Sequence, residues 1–155
     1  EVFGTYAIED SFSTAVTPNA TSAVRLLGGP QDAVRSVGGV GDLNNDGIMD
    51  LLVGAPGHKN GTANKAGAAY VLYGGAAYWG DWWDNSTGAA RSDVFMADAA
   101  AVGQHTAKIS STNPNEALGW DVDWVGDLNA DGVDDIAIGS RSNTGQLRIF
   151  FGGGT

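Results

Sequence analysis

Four short apolar runs, each closed by glycine, set the rhythm of the chain: Leu51-Leu52-Val53-Gly54, Tyr70-Val71-Leu72-Tyr73-Gly74-Gly75, Ile136-Ala137-Ile138-Gly139 and Ile149-Phe150-Phe151-Gly152-Gly153. Runs this short, rich in β-branched and aromatic residues and bounded by glycine, predict strands. Helices need about ten residues without such breaks. The fold class expected is all-β, built of antiparallel units. Trp124 alternates with Val122 and is expected to face the core.

The runs are ordered by an internal repeat. Val40-Gly41-Asp42-Leu43-Asn44-Asn45-Asp46-Gly47-Ile48-Met49-Asp50 aligns with Val125-Gly126-Asp127-Leu128-Asn129-Ala130-Asp131-Gly132-Val133-Asp134-Asp135. Each copy leads into one apolar run and, after a variable loop, into a second ending in Gly-Gly. Each unit therefore reads as strand, polar loop, strand, hairpin loop, strand. Residues 23–27 and 94–97 are the candidates for an additional outer strand in the first and second unit. One domain of 155 residues is expected, with units over 20–75 and 91–153. An N-terminal segment (1–18) and a tryptophan-rich insert (76–90) lie outside them. Trp79, Trp82 and Trp83 of the insert suit a lid over the sheet, a subunit interface or a sugar platform.

The aligned loops carry the chemistry. Calcium takes six to eight oxygen ligands at about 2.3–2.6 Å, and a chain supplies them by curling around the ion with oxygen side chains at alternate positions. Asp42, Asn44 and Asp46, and Asp127, Asn129 and Asp131, occupy the first, third and fifth positions. Gly47 and Gly132 follow where the turn is sharpest. The backbone carbonyls of Ile48 and Val133 come next, with apolar side chains able to point into the core. A helical EF-hand would close with a glutamate at the twelfth position, where Val53 and Ile138 stand. The closing carboxylate is instead Asp50 or Asp135 at the ninth. Two calcium sites are expected, magnesium being less suited to such all-protein loops. Asp134 lies between ligands and reads as solvent-facing.

Composition narrows the setting. Eighteen acids against eight bases give a net charge of −10, which opposes nucleic acid or an anionic membrane surface as partner. Without cysteine there is no disulfide framework or thiolate metal site. No apolar run approaches the 18 or so residues that suggest a membrane span. The start at Glu1, without methionine, is that of a processed chain or an excised fragment. Asn19, Asn60 and Asn85 each head an Asn-x-Ser/Thr sequon in a predicted loop, which makes them candidate glycosylation sites.

Val-Gly-Asp-Leu-Asn-x-Asp-Gly-x-x-Asp, followed by an apolar strand and Gly54-Ala55-Pro56, resembles the FG-GAP repeat, the blade unit of integrin α-type β-propellers. The resemblance implies calcium between the first two strands of each blade, held by Asp42, Asn44, Asp46, Ile48 and Asp50 and by the second set. The Phe-Gly element is reduced to Leu118-Gly119 in the second unit and is absent near Ala33-Val34 in the first. Gly139-Ser140-Arg141 replaces Gly-Ala-Pro. A propeller closes with about four to eight blades, and two alone leave apolar faces open. The expected role is an extracellular or cell-surface, calcium-binding, glycosylated assembly protein. It would self-associate into a ring or filament through open sheet edges and residues 1–18. The alternative is an adhesion module binding glycan or protein, as part of a larger propeller.

An enzyme is not expected. His58 and His105 sit in polar or loop surroundings and read as surface residues. Ser140 and Ser142 lack the Gly-x-Ser-x-Gly elbow, and the aligned carboxylates are committed to the loops.

Overall fold

The computed structural model describes residues 25–75, 83–84, 89–90, 93–96, 106–142 and 144–153. They form strands β1 (Arg25–Leu27), β2 (Ser36–Gly41), β3 (Asp50–Ala55), β4 (Ala68–Leu72), β5 (Trp83–Asp84), β6 (Ala89–Ala90), β7 (Asp93–Phe95), β8 (Thr106–Ser110), β9 (Leu118–Gly126), β10 (Asp135–Ser140) and β11 (Gln146–Phe150). Among the described residues there is no helix, so the chain is all-β, and none is long and apolar enough to cross a membrane.

Two antiparallel sheets dominate. The first has the order β2-β3-β4-β8 and the second β11-β10-β9, so each is a meander of neighbouring strands. Neither closes into a barrel or a propeller. They are two blade-like units lying face to face, the first strand of the second unit (β9) against β2 and β3 of the first. Small residues permit this approach. A methyl group on Gly54 would come within 2.3 Å of the Gly119 carbonyl oxygen, and Gly119 has a left-handed φ of 81°. Ser36 Oγ donates to that same carbonyl at 3.2 Å and pins the register between the blades.

Alternation along the strands sorts the core into two layers. Leu52, Ala69 and Val71 of the first sheet meet Leu118, Val122, Ile136 and Ile138 of the second, with Trp124 packed at their margin as expected. The other face of the first sheet presents Val53, Ala55, Ala68, Tyr70 and Leu72, and is covered by Met96 with Leu26. Each fully buried Leu, Ile or Val contributes about 1.5–3 kcal/mol, so the layer between the blades fixes them to each other.

The outer strands differ from expectation. β1 and β7 pair in parallel with one another in a small separate sheet. The fourth strand of the first blade is β8, antiparallel to β4, from a stretch that the repeat spacing places in the second unit. Only Ala107 and Ile109 of β8 are apolar, and both are half-buried. An edge strand half in solvent leaves little hydrophobic signal. Residues 1–18, Trp79, Trp82, Asn19, Asn85 and His105 lie outside the described residues. So does the side chain of Trp83, whose backbone pairs with Ala90.

Candidate metal centre

Each polar loop joins the first two strands of its blade, β2 to β3 and β9 to β10, and the two agree bond by bond. Asp42 accepts from the N–H groups of Asp46 (3.1 Å) and Gly47 (2.8 Å). Asp127 accepts from Asp131 (3.0 Å) and Gly132 (2.8 Å). Asp46 and Asp131 accept from the N–H two residues on, Ile48 at 2.8 Å and Val133 at 2.9 Å. Asn44 Oδ1 accepts from Asp46 N at 3.3 Å, and Asn129 Oδ1 from Asp131 N at 3.1 Å. The curl is left-handed at Asn45 (φ 57°) and Gly47 (φ 81°), and again at Ala130 (φ 61°) and Gly132 (φ 91°). Asn tolerates that conformation and Gly adopts it without penalty. The three oxygen-bearing side chains at positions one, three and five are thus turned onto one stretch of backbone.

Within each loop the Asn amide nitrogen donates to the next aspartate, Asn44 to Asp46 at 3.0 Å and Asn129 to Asp131 at 2.8 Å. Among the described residues no three carboxylates or imidazoles converge on one point. Asp50 is fully buried. It accepts from Leu43 N (3.0 Å) and Gly74 N (2.9 Å), tying the loop to the end of β4. Asp135 does the same with Leu128 N (2.8 Å) and Gly152 N (2.9 Å). Burial pushes the Asp50 carboxyl above its ordinary range; the Gly74 and Leu43 amides work against this, and Asp46 and Asp42 add to the rise. A carboxylate oxygen has two lone pairs, so each buried aspartate keeps acceptor capacity beyond its amide bond. The donor set is all hard oxygen, which suits calcium, magnesium or manganese and not a soft metal.

Three expectations need correction. Asp134 is not turned to solvent: its Oδ2 accepts from Asp42 N at 3.0 Å, tying the second loop to the first. Gly153 N adds a bond to Leu43 O at 3.2 Å. Ile48 and Val133 part company, Val133 being 7% exposed and Ile48 44%. His58 is no surface residue. It is 8% exposed, with Nδ1 2.7 Å from Asp32 Oδ1, while Tyr70 Oη donates to Asp32 Oδ2 at 2.8 Å and Gly29 N donates there at 2.9 Å. Burial first, then Asp32, raises the Tyr70 hydroxyl pKa far above its ordinary value, so the group stays a donor. Asp32 showed no sequence signal, because its partners are spread over residues 29–70. Of the sequons, Asn60 is described. Its Nδ2 donates to Ser111 O (2.9 Å) and Ser110 Oγ (3.3 Å), bonds that a glycan at that nitrogen would disturb.

A blade with an Asp-x-Asn-x-Asp-Gly-x-x-Asp loop between its first two strands is the unit of the FG-GAP repeat. Residues 34–72 match the profile of that repeat, and the chain is an FG-GAP repeat protein. It is 34% identical over 118 residues to phosphatidylinositol-glycan-specific phospholipase D of Bos taurus, taking in 72% of this chain and 12% of the relative. To integrin alpha-3 of Mus musculus it is 34% identical over 111 residues, 70% of this chain and 8% of the integrin. Integrin alpha-7 of Rattus norvegicus is 28% identical over 145 residues, 93% of this chain and 10% of the integrin. The chain spans about a tenth of the length of these curated relatives.

Proposed function

We propose that the chain is a calcium-stabilised pair of propeller blades that acts outside the cell as a binding and assembly element. The ligands assigned are Asp42, Asn44, Asp46, the Ile48 carbonyl and Asp50 in the first loop. Asp127, Asn129, Asp131, the Val133 carbonyl and Asp135 serve in the second. The observation that carries this reading is the bond-by-bond recurrence of one oxygen-lined curl in two blades. Good turn formers alone would not need to repeat each acceptor. A bound divalent cation would neutralise two of the three carboxylate charges in each loop. Asp50 and Asp135 would then close the site and hold the loop against the blade at once.

The two blades are not capped alike. The far face of the first is covered by Met96 and Leu26. Phe150 of β11 pairs with Ile136 of β10 on the inner side, so alternation turns Leu147 and Ile149 to the far face. Leu147 is 69% exposed, and Phe151 just beyond the strand is 61% exposed. The outer edge of β11 has no partner strand among the described residues. An open apolar face and open edge suit a further blade, from a longer chain or from another copy. With integrins among the relatives, an adhesion-type module binding protein or glycan is the role we favour. Light scattering with size-exclusion chromatography tests the self-assembly variant. A ring or polymer in calcium, lost on deleting residues 1–18, supports association between copies, and a persistent monomer leaves the blades as part of a longer propeller. We read the chain as a non-enzymatic element, the phospholipase D match covering only 12% of that enzyme.

A further inference from the structure

At the ends of the strands opposite the polar loops, three side chains from both blades meet. Arg35 leads into β2, Trp120 lies near the start of β9, and Arg141 follows β10. The Arg35 guanidinium carbon is 4.1 Å and that of Arg141 4.4 Å from the Trp120 ring centroid. Arg35, Ser36, Val37, Trp120 and Asp121 line an open cleft of about 500 Å³ beside them. Both arginines are exposed.

Two like charges gathered on one ring in a chain of net charge −10 call for an explanation. Among the described residues neither guanidinium has an acidic partner within ion-pair distance or a side-chain hydrogen bond, although the chain has acids in excess. A guanidinium carries five N–H donors in a planar fork. Stacking on an aromatic ring engages its face and leaves the donor edge for a coplanar acceptor. The backbone beneath Arg35 and Trp120 is tied down: Arg35 N donates to Gly54 O at 2.9 Å, and Ser36 Oγ donates to the Gly119 carbonyl next to Trp120. Two prepositioned, unspent bidentate donors outweigh the single carboxylate in the cleft wall, Asp121, and describe an anion receptor.

We propose that Arg35 and Arg141, held on Trp120, form a receptor site for the side-chain carboxylate of an acidic peptide segment on a partner protein. Two observations favour a peptide over an acidic saccharide. Trp120 already carries two guanidiniums and is not a free platform for a sugar ring. Val37, 64% exposed in the wall of the cleft, offers apolar contact to a residue flanking the acid. Tryptophan and arginine are also the residues that dominate protein-binding hot spots. The site lies at the other end of β2 and β9 from the polar loops.

Calorimetric titration of the full chain with acetylated tetraglutamate amide, and with its tetraglutamine counterpart, tests the proposal in calcium-containing low-salt buffer. Tetraglutamate should bind at least about tenfold more tightly than tetraglutamine, since only charged acceptors engage the forks bidentately. Arg35→Gln and Arg141→Gln should each weaken tetraglutamate about five- to tenfold, and Arg35→Lys should recover little because a lysine cannot form the fork. Lys59→Gln, an equal change of charge at an exposed loop position, should leave binding unchanged. Equal affinity for the two peptides on the wild-type chain overturns the proposal without any variant having to fold. An equal loss in Lys59→Gln overturns it in favour of diffuse attraction. Arginine-dependent binding of a heparin tetrasaccharide, with none of tetraglutamate, overturns it in favour of a glycan site.

Discussion

Asp50→Asn separates the two roles given to the ninth loop residue, provided it is measured in excess chelator. Without an ion, Asp50 serves only as a clamp, accepting from the Leu43 and Gly74 amides at 3.0 and 2.9 Å in a fully buried position. Asparagine keeps one oxygen and turns an NH2 group toward the other amide. One bond is lost, and a buried donor is left unsatisfied, at a cost of about 1–3 kcal/mol. The remaining bond also weakens from charged to neutral, by about 1 kcal/mol. Relief of a buried charge beside Asp46 and Asp42 offsets part of this, and the net expectation is about 2 kcal/mol. For a chain of this size that is a fall of about 4–8 °C in melting temperature. Asp42→Asn is the comparison, because its two amide partners lie in the exposed loop, where water can replace the carboxylate. Its loss in chelator should stay within about 0.5 kcal/mol. Thermal and urea unfolding followed by circular dichroism supplies both numbers. Asp50→Asn melting with the wild type, or no lower than Asp42→Asn, would refute the clamp. Asp135→Asn should behave like Asp50→Asn through Leu128 and Gly152.

Other expectations concern the buried polar groups away from the loops. Tyr70→Phe removes a donor from the buried Asp32 carboxylate and should lower stability by about 1.5–3 kcal/mol in urea, with the cost constant from pH 7 to about 9 because the native hydroxyl stays protonated. Glu116, buried and bonded to Ser111, Asn113 and Arg148, has its carboxyl lowered below the ordinary value, the hydrogen bonds and the Arg148 charge outweighing desolvation. A lowered native pKa means its stabilisation is complete above the unfolded value of about 4.3 and fades as pH falls through the native one. Glu116→Gln should therefore flatten the melting temperature against pH below about pH 4.3, and an unchanged acid slope counts against the role.

The parts of the fold that the sequence revealed are those where one physical constraint acts on consecutive residues. The curl from Asp42 to Gly47 needs oxygen at alternate positions and a left-handed residue, and that pattern survives translation into letters. Strands β3, β4 and β10 are buried on both faces or nearly so, and read as unbroken apolar runs. β8 is half-exposed and short, so its membership of the first blade depended on β4 offering an edge. Asp134 accepts from Asp42, 92 residues away, and Asp32, His58 and Tyr70 assemble from three separate segments. Such groups have no local spacing, and a buried histidine looks like any loop histidine until the chain folds around it. Asp50 reads in the sequence as a candidate ligand and carries no sign of its clamp role. Its bonds to Leu43 and Gly74 depend on where the end of β4 comes to rest.

Whether each blade holds one calcium ion is addressed most directly by a calcium titration of the chelator-stripped chain by isothermal calorimetry. Loops lacking the twelfth-position glutamate are expected to fall in the weaker class, with dissociation constants of about 0.1–1 mM. At about 2 mM calcium such sites add roughly 0.6–1.8 kcal/mol each by mass action. The expected result is two ions per wild-type chain, one in Asp46→Ala, one in Asp131→Ala and none in the double variant, with melting temperature rising in calcium in the same order. A wild-type chain that binds no calcium at millimolar concentration, or single variants that still bind two ions, would contradict calcium binding by these loops.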